Sequence, residues 1–474
     1  MSGRPRLSQE TLAKLPPEVA RPGYDRGAVK TGVVHLGVGA FHRAHQAMVF
    51  DRLLTAGDLR WGVIGASLRS PAVRDALAPQ DGLYTLVERD GGGQRLQVIG
   101  SVRGVLVAPE GPPALIEAMA ATDVHLITLT ITEKGYGGDA PAMIADALAL
   151  RHERGLAPFT AISCDNIAGN GARLAEAVLD AAETRSPALR DWIAAQGAFP
   201  STMVDRITPE TTEADIDALA ARIGLVDRAM IKTEPFWQWV IEDRFAGPRP
   251  AFEDVGVQVV ADVAPWEIAK LRLLNGAHSA MAYLGGLAGI GFVHAFVGDA
   301  ARVVFIERLW DEAEATLPPT PGLDIAAYRV ALLARFTNPA LNHALRQIAM
   351  DGSQKLPQRL AAPLMARQAR GLASPCLILA IAAWMKWQSG RTDAGETFVV
   401  DDPLASQTRP IAESASAAER VAGFLSLSAI FAPELADCAD TLAAALDGLD
   451  RHGAAAMIRL VSAGLDQRRP TPSS

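Results

Sequence analysis

Apolar positions follow two different periods along the chain, and the change falls near residue 262. Before it, short apolar or β-branched runs alternate with stretches of helical period. Gly32–Gly39 (GVVHLGVG), Trp61–Ser67 (WGVIGAS), Val124–Thr132 (VHLITLTIT) and Phe159–Cys164 read as buried strands. Phe41–Ala56, Ala72–Leu77, Pro112–Ala121, Pro141–Arg154 and Ala172–Thr184 read as helices between them. Tyr84–Glu88 and Leu96–Val107 read as paired strands with Gly91–Gly93 in the turn, and Ala229–Glu234 and Val255–Val260 as further strands. The alternation predicts an α/β domain over residues 1–262, built on a doubly wound parallel sheet. After residue 262 the β-branched runs stop, and leucine- and alanine-rich helical patterns continue to about Gly464. A mostly α-helical domain is therefore expected over 263–474, with the tail RRPTPSS frayed.

One stretch of the second part mixes polar and apolar residues in an unusual way. Pro265–Gly285 (PWEIAKLRLLNGAHSAMAYLG) has Asp262 upstream as a capping acceptor and no break before Gly285-Gly286 apart from Gly276. At about 100° per residue, Glu267, Leu271, Leu274 and His278 share a narrow arc, with Lys270 on one flank and Asn275 on the other. Burying a lysine, an asparagine and a histidine on an apolar helix costs free energy unless they have partners, so the pattern suggests a lined cleft. The structural alternatives are a snorkelling lysine, a helix-bending asparagine and a satisfied core histidine.

Composition narrows the function classes. The 474 residues are 49% hydrophobic and 21% charged, as in a globular protein of two or three domains. A net charge of −8 gives no global attraction for nucleic acid. Cys164, Cys376 and Cys438 are too scattered for a disulfide framework or zinc spacing, which points to a reducing, cytoplasmic setting. The polar N-terminus shows no secretion signal, and the apolar run CLILAIAAWM is too short to span a bilayer. The expected partner is a small molecule, with no nucleic acid and no membrane, for a monomer or small homo-oligomer.

Gly37-Val38-Gly39-Ala40-Phe41-His42 follows a strand and opens a helix, as a pyrophosphate-binding turn requires, although His42 stands where a third glycine is usual. The acidic residue that selects NAD is missing at the end of the second strand, which reads Ser67-Leu68-Arg69, so NADP stays open beside NAD. His42 and His45 are three apart, but no acidic or cysteine partner lies nearby, and no metal site is expected.

A dinucleotide makes hydride transfer the natural chemistry. None of the five tyrosines has a lysine four residues on, and the cysteines do not suit catalytic zinc. A metal-free mechanism needs another base. Lysine starts about three units too high, but burial or a neighbouring cation lowers it. Lys270 fits that role, and Asn275 can donate to a developing alkoxide.

Lys270-x4-Asn275-x2-His278 resembles the catalytic motif of the mannitol dehydrogenase family of long-chain, metal-independent polyol dehydrogenases. GVGAFHRAHQ (Gly37–Gln46), SCDNIAGNG (Ser163–Gly171), MVDRITP (Met203–Pro209), TEKGY (Thr132–Tyr136) and DGSQKLPQR (Asp351–Arg359) resemble further family segments in the same order. The resemblance implies a Rossmann-type N-terminal domain, a helical C-terminal domain and a substrate cleft between them. It implies Lys270 as general base, Asn275 and His278 as groups that bind and polarise the reacting oxygen, and Glu267 on a proton path. It implies Asn166 and Asp205 at the polyol, with Arg346 and Lys355 as further candidates. For the cofactor it implies Gly37, Gly39, Phe41, His42, Arg43, Ser67, Arg69, Thr132, Glu133, Lys134 and Gly135. The expected reaction is NAD-dependent oxidation of a sugar alcohol to a ketose, mannitol to fructose first. Some relatives reduce fructuronate to mannonate, and the segment SLRS looks at least as much like theirs. A rival of another class is a dinucleotide-binding redox sensor without turnover.

Overall fold

The computed structural model describes residues 4–464, so the tail RRPTPSS lies outside the described residues. The chain divides into two compact units, one ending at Ala264 and the other beginning at Pro265.

The first unit carries strands β1 (Thr31–Leu36), β2 (Gly62–Ser67), β3 (Tyr84–Asp90), β4 (Gly93–Ile99), β5 (Val102–Val107), β6 (Leu126–Leu129), β7 (Thr160–Ser163), β8 (Thr202–Asp205), β9 (Ile231–Thr233), β10 (Gln238–Glu242) and β11 (Gln258–Val260). Five of them form a parallel sheet in the order β5-β2-β1-β6-β7. The chain starts at the central strand β1, moves outward through β2 to β5, then returns to the other side of β1. That reversal leaves a crevice at the C-terminal end of β1, where open α/β sheets bind ligands. Helices cover both faces, which is why the strands are apolar throughout. Val33, Val63, Leu126 and Ile162 enter one core with Phe50 and Trp239, while Val34, Ala66, Ile127 and Leu129 enter another with Ile144 and Leu174. The expected doubly wound sheet is present.

Several expected elements differ in detail. Leu96–Val107 is not one strand. β4 ends at Ile99 and pairs with β3, whereas β5 leaves for the parallel sheet. The break is at Gly100, whose N–H donates to Asp51 Oδ1 at 2.8 Å and whose bare Cα lets Pro22 and Tyr24 pack close. The helix expected over 41–56 is two helices, Ala40–Ala44 and Gln46–Thr55, broken where His45 turns aside (φ −118°, ψ −85°) and donates from Nε2 to the Gln238 carbonyl. β8 and β10 are missing from the sequence reading because TMVD ends in a charged residue and QWVIE begins and ends in polar ones, so neither stands out as an apolar run. With β11 they form a second sheet, and β4-β3-β9 form a third.

The second unit is built from helices. Pro375–Trp387 contains the apolar run and is buried on almost every side, packed by Gly276–Leu287 and the kinked Ala439–Gly464. Its first N–H groups, those of Cys376 and Leu377, donate to the buried Glu312 carboxylate at 2.9 Å each. Among the described residues no helix is long and apolar enough to cross a membrane. Gly285-Gly286 does not end the polar-studded helix, which runs on to Leu287. A Cβ at Gly286 would lie 2.4 Å from the Trp387 ring, and one at Gly285 2.5 Å from Leu345 Cδ1, so both glycines serve close helix packing.

Candidate active site

The helical run that begins at Ala264, with Asp262 Oδ1 accepting from the Ala264 N–H, changes its winding part-way. Ala264–Ala269 is α-helical, Lys270–Asn275 is a π-helical turn, and Gly276–Leu287 is α-helical again. The wide turn has visible causes. The Trp310 indole donates to the Leu273 carbonyl at 2.9 Å, and the Gly276 N–H donates back five residues to Leu271. Gly276 also allows the backbone of a second π-helical turn, Pro357–Ala361, to come close, since a Cβ there would lie 3.0 Å from the Arg359 carbonyl. That second turn is closed by the Ala362 N–H, which donates back five residues to the Pro357 carbonyl.

The π turn decides the geometry of the candidate residues. Regular α-winding would set Lys270 and Asn275 about 140° apart. An i→i+5 turn stacks residues five apart, so both fall on one side of the helix, and such turns recur at functional sites. Lys270, Asn275 and His278 are each 8% exposed. Glu267, partly buried, precedes Lys270 by one turn.

His278 faces Phe336 and His343, with ring centroids 5.0 Å away in both cases. Burial, together with His343, Arg335 and Arg359, holds its pKa well below the ordinary histidine range, so the ring is neutral. Its Nε2 is buried and has no hydrogen-bond partner among the described residues. The sequence reading missed this basic surround. Arg335 lies in a helix, Ile325–Phe336, that had no motif, and Arg359 closes the segment DGSQKLPQR without having been singled out.

Arg346 lies in a different part of the same unit, whereas Lys355 sits beside Arg359, whose charge adds to burial in lowering the Lys355 pKa. Arg346 is exposed and its guanidinium lies 5.0 Å over the Phe398 ring, beside a cavity of about 550 Å³ lined by Met350, Trp387 and Asp402. Lys355 donates to the Met350 carbonyl and has Asp351, Asp401 and Asp402 near it.

In the first unit the glycine turn sits at the end of β1, at the point where the strand order reverses. Gly37 adopts φ +95° with its Cα against Thr130, where a Cβ would lie 2.2 Å from the carbonyl oxygen. Nothing but the Gly37 carbonyl approaches the Cβ position of Gly39, and no side chain caps the helix that starts at Ala40. An open glycine edge, an uncapped helix start and a strand-order switch fit a dinucleotide. The missing third glycine is explained by His42, whose ring stacks 3.4 Å from that of His35 inside the helix–sheet interface. The side chains of His42 and Arg43 are therefore turned inward, Arg43 Nη1 donating to the Ala229 carbonyl at 2.7 Å. Phe41 stacks on His45, so His42 and His45 diverge. Ser67 Oγ donates to the Ser70 carbonyl, and Arg69 is exposed.

At the ends of β6 and β7 the turn Glu133–Gly135 is tied to the segment after Ser163. The Thr132 N–H and the Tyr136 hydroxyl both donate to the Asp165 carboxylate, at 2.8 and 3.1 Å. Asn166, next to Asp165, is exposed, as are Glu133 and Lys134; Gly135 packs on Ile131, and Glu133 pairs with Arg173 at 3.0 Å. Asp205 is buried at the end of β8. Its neighbour Arg206 pairs with Glu88 and donates to the Glu234 and Ala44 carbonyls.

Two family models match the chain, the mannitol dehydrogenase Rossmann domain over residues 31–254 and the mannitol dehydrogenase C-terminal domain over 262–451. The chain belongs to the mannitol dehydrogenase family. Within this family it is 39% identical to a mannitol 2-dehydrogenase of Pyrenophora tritici-repentis, covering 96% of this chain and 85% of that one. It is 40% identical to a D-mannonate oxidoreductase of Escherichia coli, covering 92% of this chain and 96% of the other. Among mannitol dehydrogenase structures it resembles the Pseudomonas fluorescens mannitol 2-dehydrogenase in ternary complex with NAD and D-mannitol, with a TM-score of 0.82 and 34% identity over 96% of this chain and 99% of that one. The family resemblance carried by the five sequence segments and the Lys270 motif is borne out, as is the Rossmann-plus-helical architecture.

Proposed function

We propose that this protein is a metal-independent, NAD-dependent secondary-alcohol dehydrogenase that oxidises a sugar alcohol to a ketose, mannitol to fructose. The observation that supports this most is the π turn, which puts Lys270 and Asn275 on one side of an apolar helix just before a neutral His278 with an unpartnered Nε2. When bound, the nicotinamide accepts the hydride. Lys270 takes the proton of the reacting hydroxyl, which requires a neutral amine at that moment. Asn275 donates to the same oxygen from its amide, and His278 can donate from Nε2, which lacks a protein partner. Glu267, one turn back, is placed to pass the proton on. In the first unit, Gly37 and Gly39 would hold the pyrophosphate, Thr132 to Gly135 would form the neighbouring wall, and Asn166 and Asp205 would serve the polyol. The three cysteines are free and buried, in keeping with a cytoplasmic enzyme.

The second reading is the same chemistry on a sugar acid, mannonate to fructuronate. It is favoured by the cations around His278 and by the similarity to a D-mannonate oxidoreductase. The test is an assay of EDTA-dialysed protein with mannitol, sorbitol, arabitol, fructose and fructuronate, each with both cofactors. Turnover without added metal is expected. Activity that appears only with Zn²⁺ would remove the lysine mechanism, and no turnover of any of these would favour a non-catalytic sensor.

A further inference from the structure

Arg359 is a cation beside His278 for which no ion pair is found among the described residues. Among the described residues its guanidinium makes a single hydrogen bond, Nη1 donating to Ser279 Oγ at 3.2 Å. Among the described residues no carboxylate pairs with it. The acidic groups nearby, Asp351, Asp401 and Asp402, surround Lys355, and Asp402 is already bound by Ser353. An arginine carries five N–H donors in a planar fork suited to a carboxylate, and burying it without a counter-ion costs free energy. Burial does press its pKa down, with only the Tyr283 hydroxyl acting against this.

Its position is set by the fold. Arg359 sits within the π turn Pro357–Ala361, which packs on the Lys270–Asn275 turn through Gly276. Its partner Ser279 directly follows His278. The unpaired fork therefore lies in the same neighbourhood as the groups assigned to the reacting oxygen, whereas Arg346 is out over Phe398.

We propose that Arg359 receives the carboxylate of an open-chain hexonate and sets the choice between that substrate and a neutral hexitol. This rests on the dehydrogenase reading above. The chemistry is unchanged: the reacting carbon gives its hydride to the nicotinamide and its hydroxyl proton to Lys270. The carboxylate, at the other end of the carbon chain, keeps its charge and supplies the counter-ion that the protein withholds.

The test compares wild type, Arg359→Gln and Ser279→Ala with mannonate and with mannitol, both with NAD⁺. It adds calorimetric titration of mannonate into each enzyme–NADH complex and of NADH into each free enzyme. In Arg359→Gln the mannonate-to-mannitol ratio of kcat/KM should fall about 10- to 100-fold, as for loss of a hydrogen bond to a charged group. Mannonate binding should weaken in parallel. Ser279→Ala, which only frees the guanidinium, should lower the ratio less, and it carries the test if the glutamine variant does not fold. An unchanged ratio, an equal loss on both substrates, or a loss confined to NADH affinity would overturn the assignment. So would a wild type that turns over mannitol but not mannonate. If neither substrate is turned over, it is the dehydrogenase reading that fails.

Discussion

The Thr132 N–H donates to Asp165 Oδ1 at 2.8 Å from a backbone conformation, φ 64° and ψ 167°, that residues other than glycine seldom adopt. The strain is held in place because Asp165 also accepts from the Tyr136 hydroxyl, fixing both ends of the turn at the tip of β6. Burial raises the Asp165 pKa, and the bonds from Thr132 and Tyr136 oppose that rise.

Asp165→Ala should therefore leave two part-buried donors unmet and lower stability by about 1–3 kcal/mol. Thr132→Gly should not lower it, because relief of about 1–3 kcal/mol of strain offsets the freer unfolded chain. Denaturant melts of the two variants decide the matter. A Thr132→Gly protein clearly less stable than wild type would mean that the conformation carries no strain.

Acid sensitivity follows from the buried histidines. Burial pushes His35 down to about 3, and holds His42 and His278 well below the ordinary value. Between those values and about 6.5 the unfolded chain binds protons that the folded protein refuses. Stability is thus complete above pH 6.5 and falls as the pH drops, by up to about 1.4 kcal/mol per unit for each such group. Urea midpoints at pH 7, 6 and 5 should decline in that order, and His35→Gln should flatten the decline. Because burial also raises the pKa of Asp51, Asp165, Asp227 and Glu312, which act in the opposite sense in both proteins, the comparison decides: a wild-type decline no steeper than that of His35→Gln would contradict the burial of this ring as a neutral group.

Cofactor choice turns on the end of β2, where no carboxylate stands to meet a ribose hydroxyl and Arg69 is exposed. Arg69→Ala should leave NAD kinetics within a few fold and weaken whatever NADP activity exists. Steady-state kcat/KM with both cofactors reads this directly. A wild type that prefers NADP would reverse the NAD assignment.

Much of the fold was legible because its signals are local. Buried parallel strands such as Val33–Leu36 and Leu126–Leu129 need continuous apolar runs, and these stand out in the sequence. β8 and β10 did not, because TMVD ends in a charge and QWVIE is bounded by polar residues, leaving no continuous apolar run. The hairpin strand β4 and the sheet strand β5 merged because only Gly100 separates their patterns. At the site, the residue types of the Lys270 motif were readable but their geometry was not. A π turn is set by the Trp310 indole and by Gly276 against Arg359, contacts between segments distant in sequence. The same holds for Arg359: that no carboxylate pairs with it among the described residues is visible only in the folded structure.

The central claim is that Lys270 is the general base, and kcat for alcohol oxidation as a function of pH, in wild type and Lys270→Ala, tests it most directly. Oxidation needs the neutral amine, so the wild-type rate should rise with pH to a plateau, while ketone reduction, which needs the ammonium, should fall over the same range. Neutral His278 should not contribute a step in this range. Lys270→Ala should lose at least about 10²-fold in kcat with NAD⁺ binding nearly intact, and a small external amine should restore part of the rate. An alanine variant that keeps most of its kcat and the wild-type pH profile would contradict the account and move the base to His278.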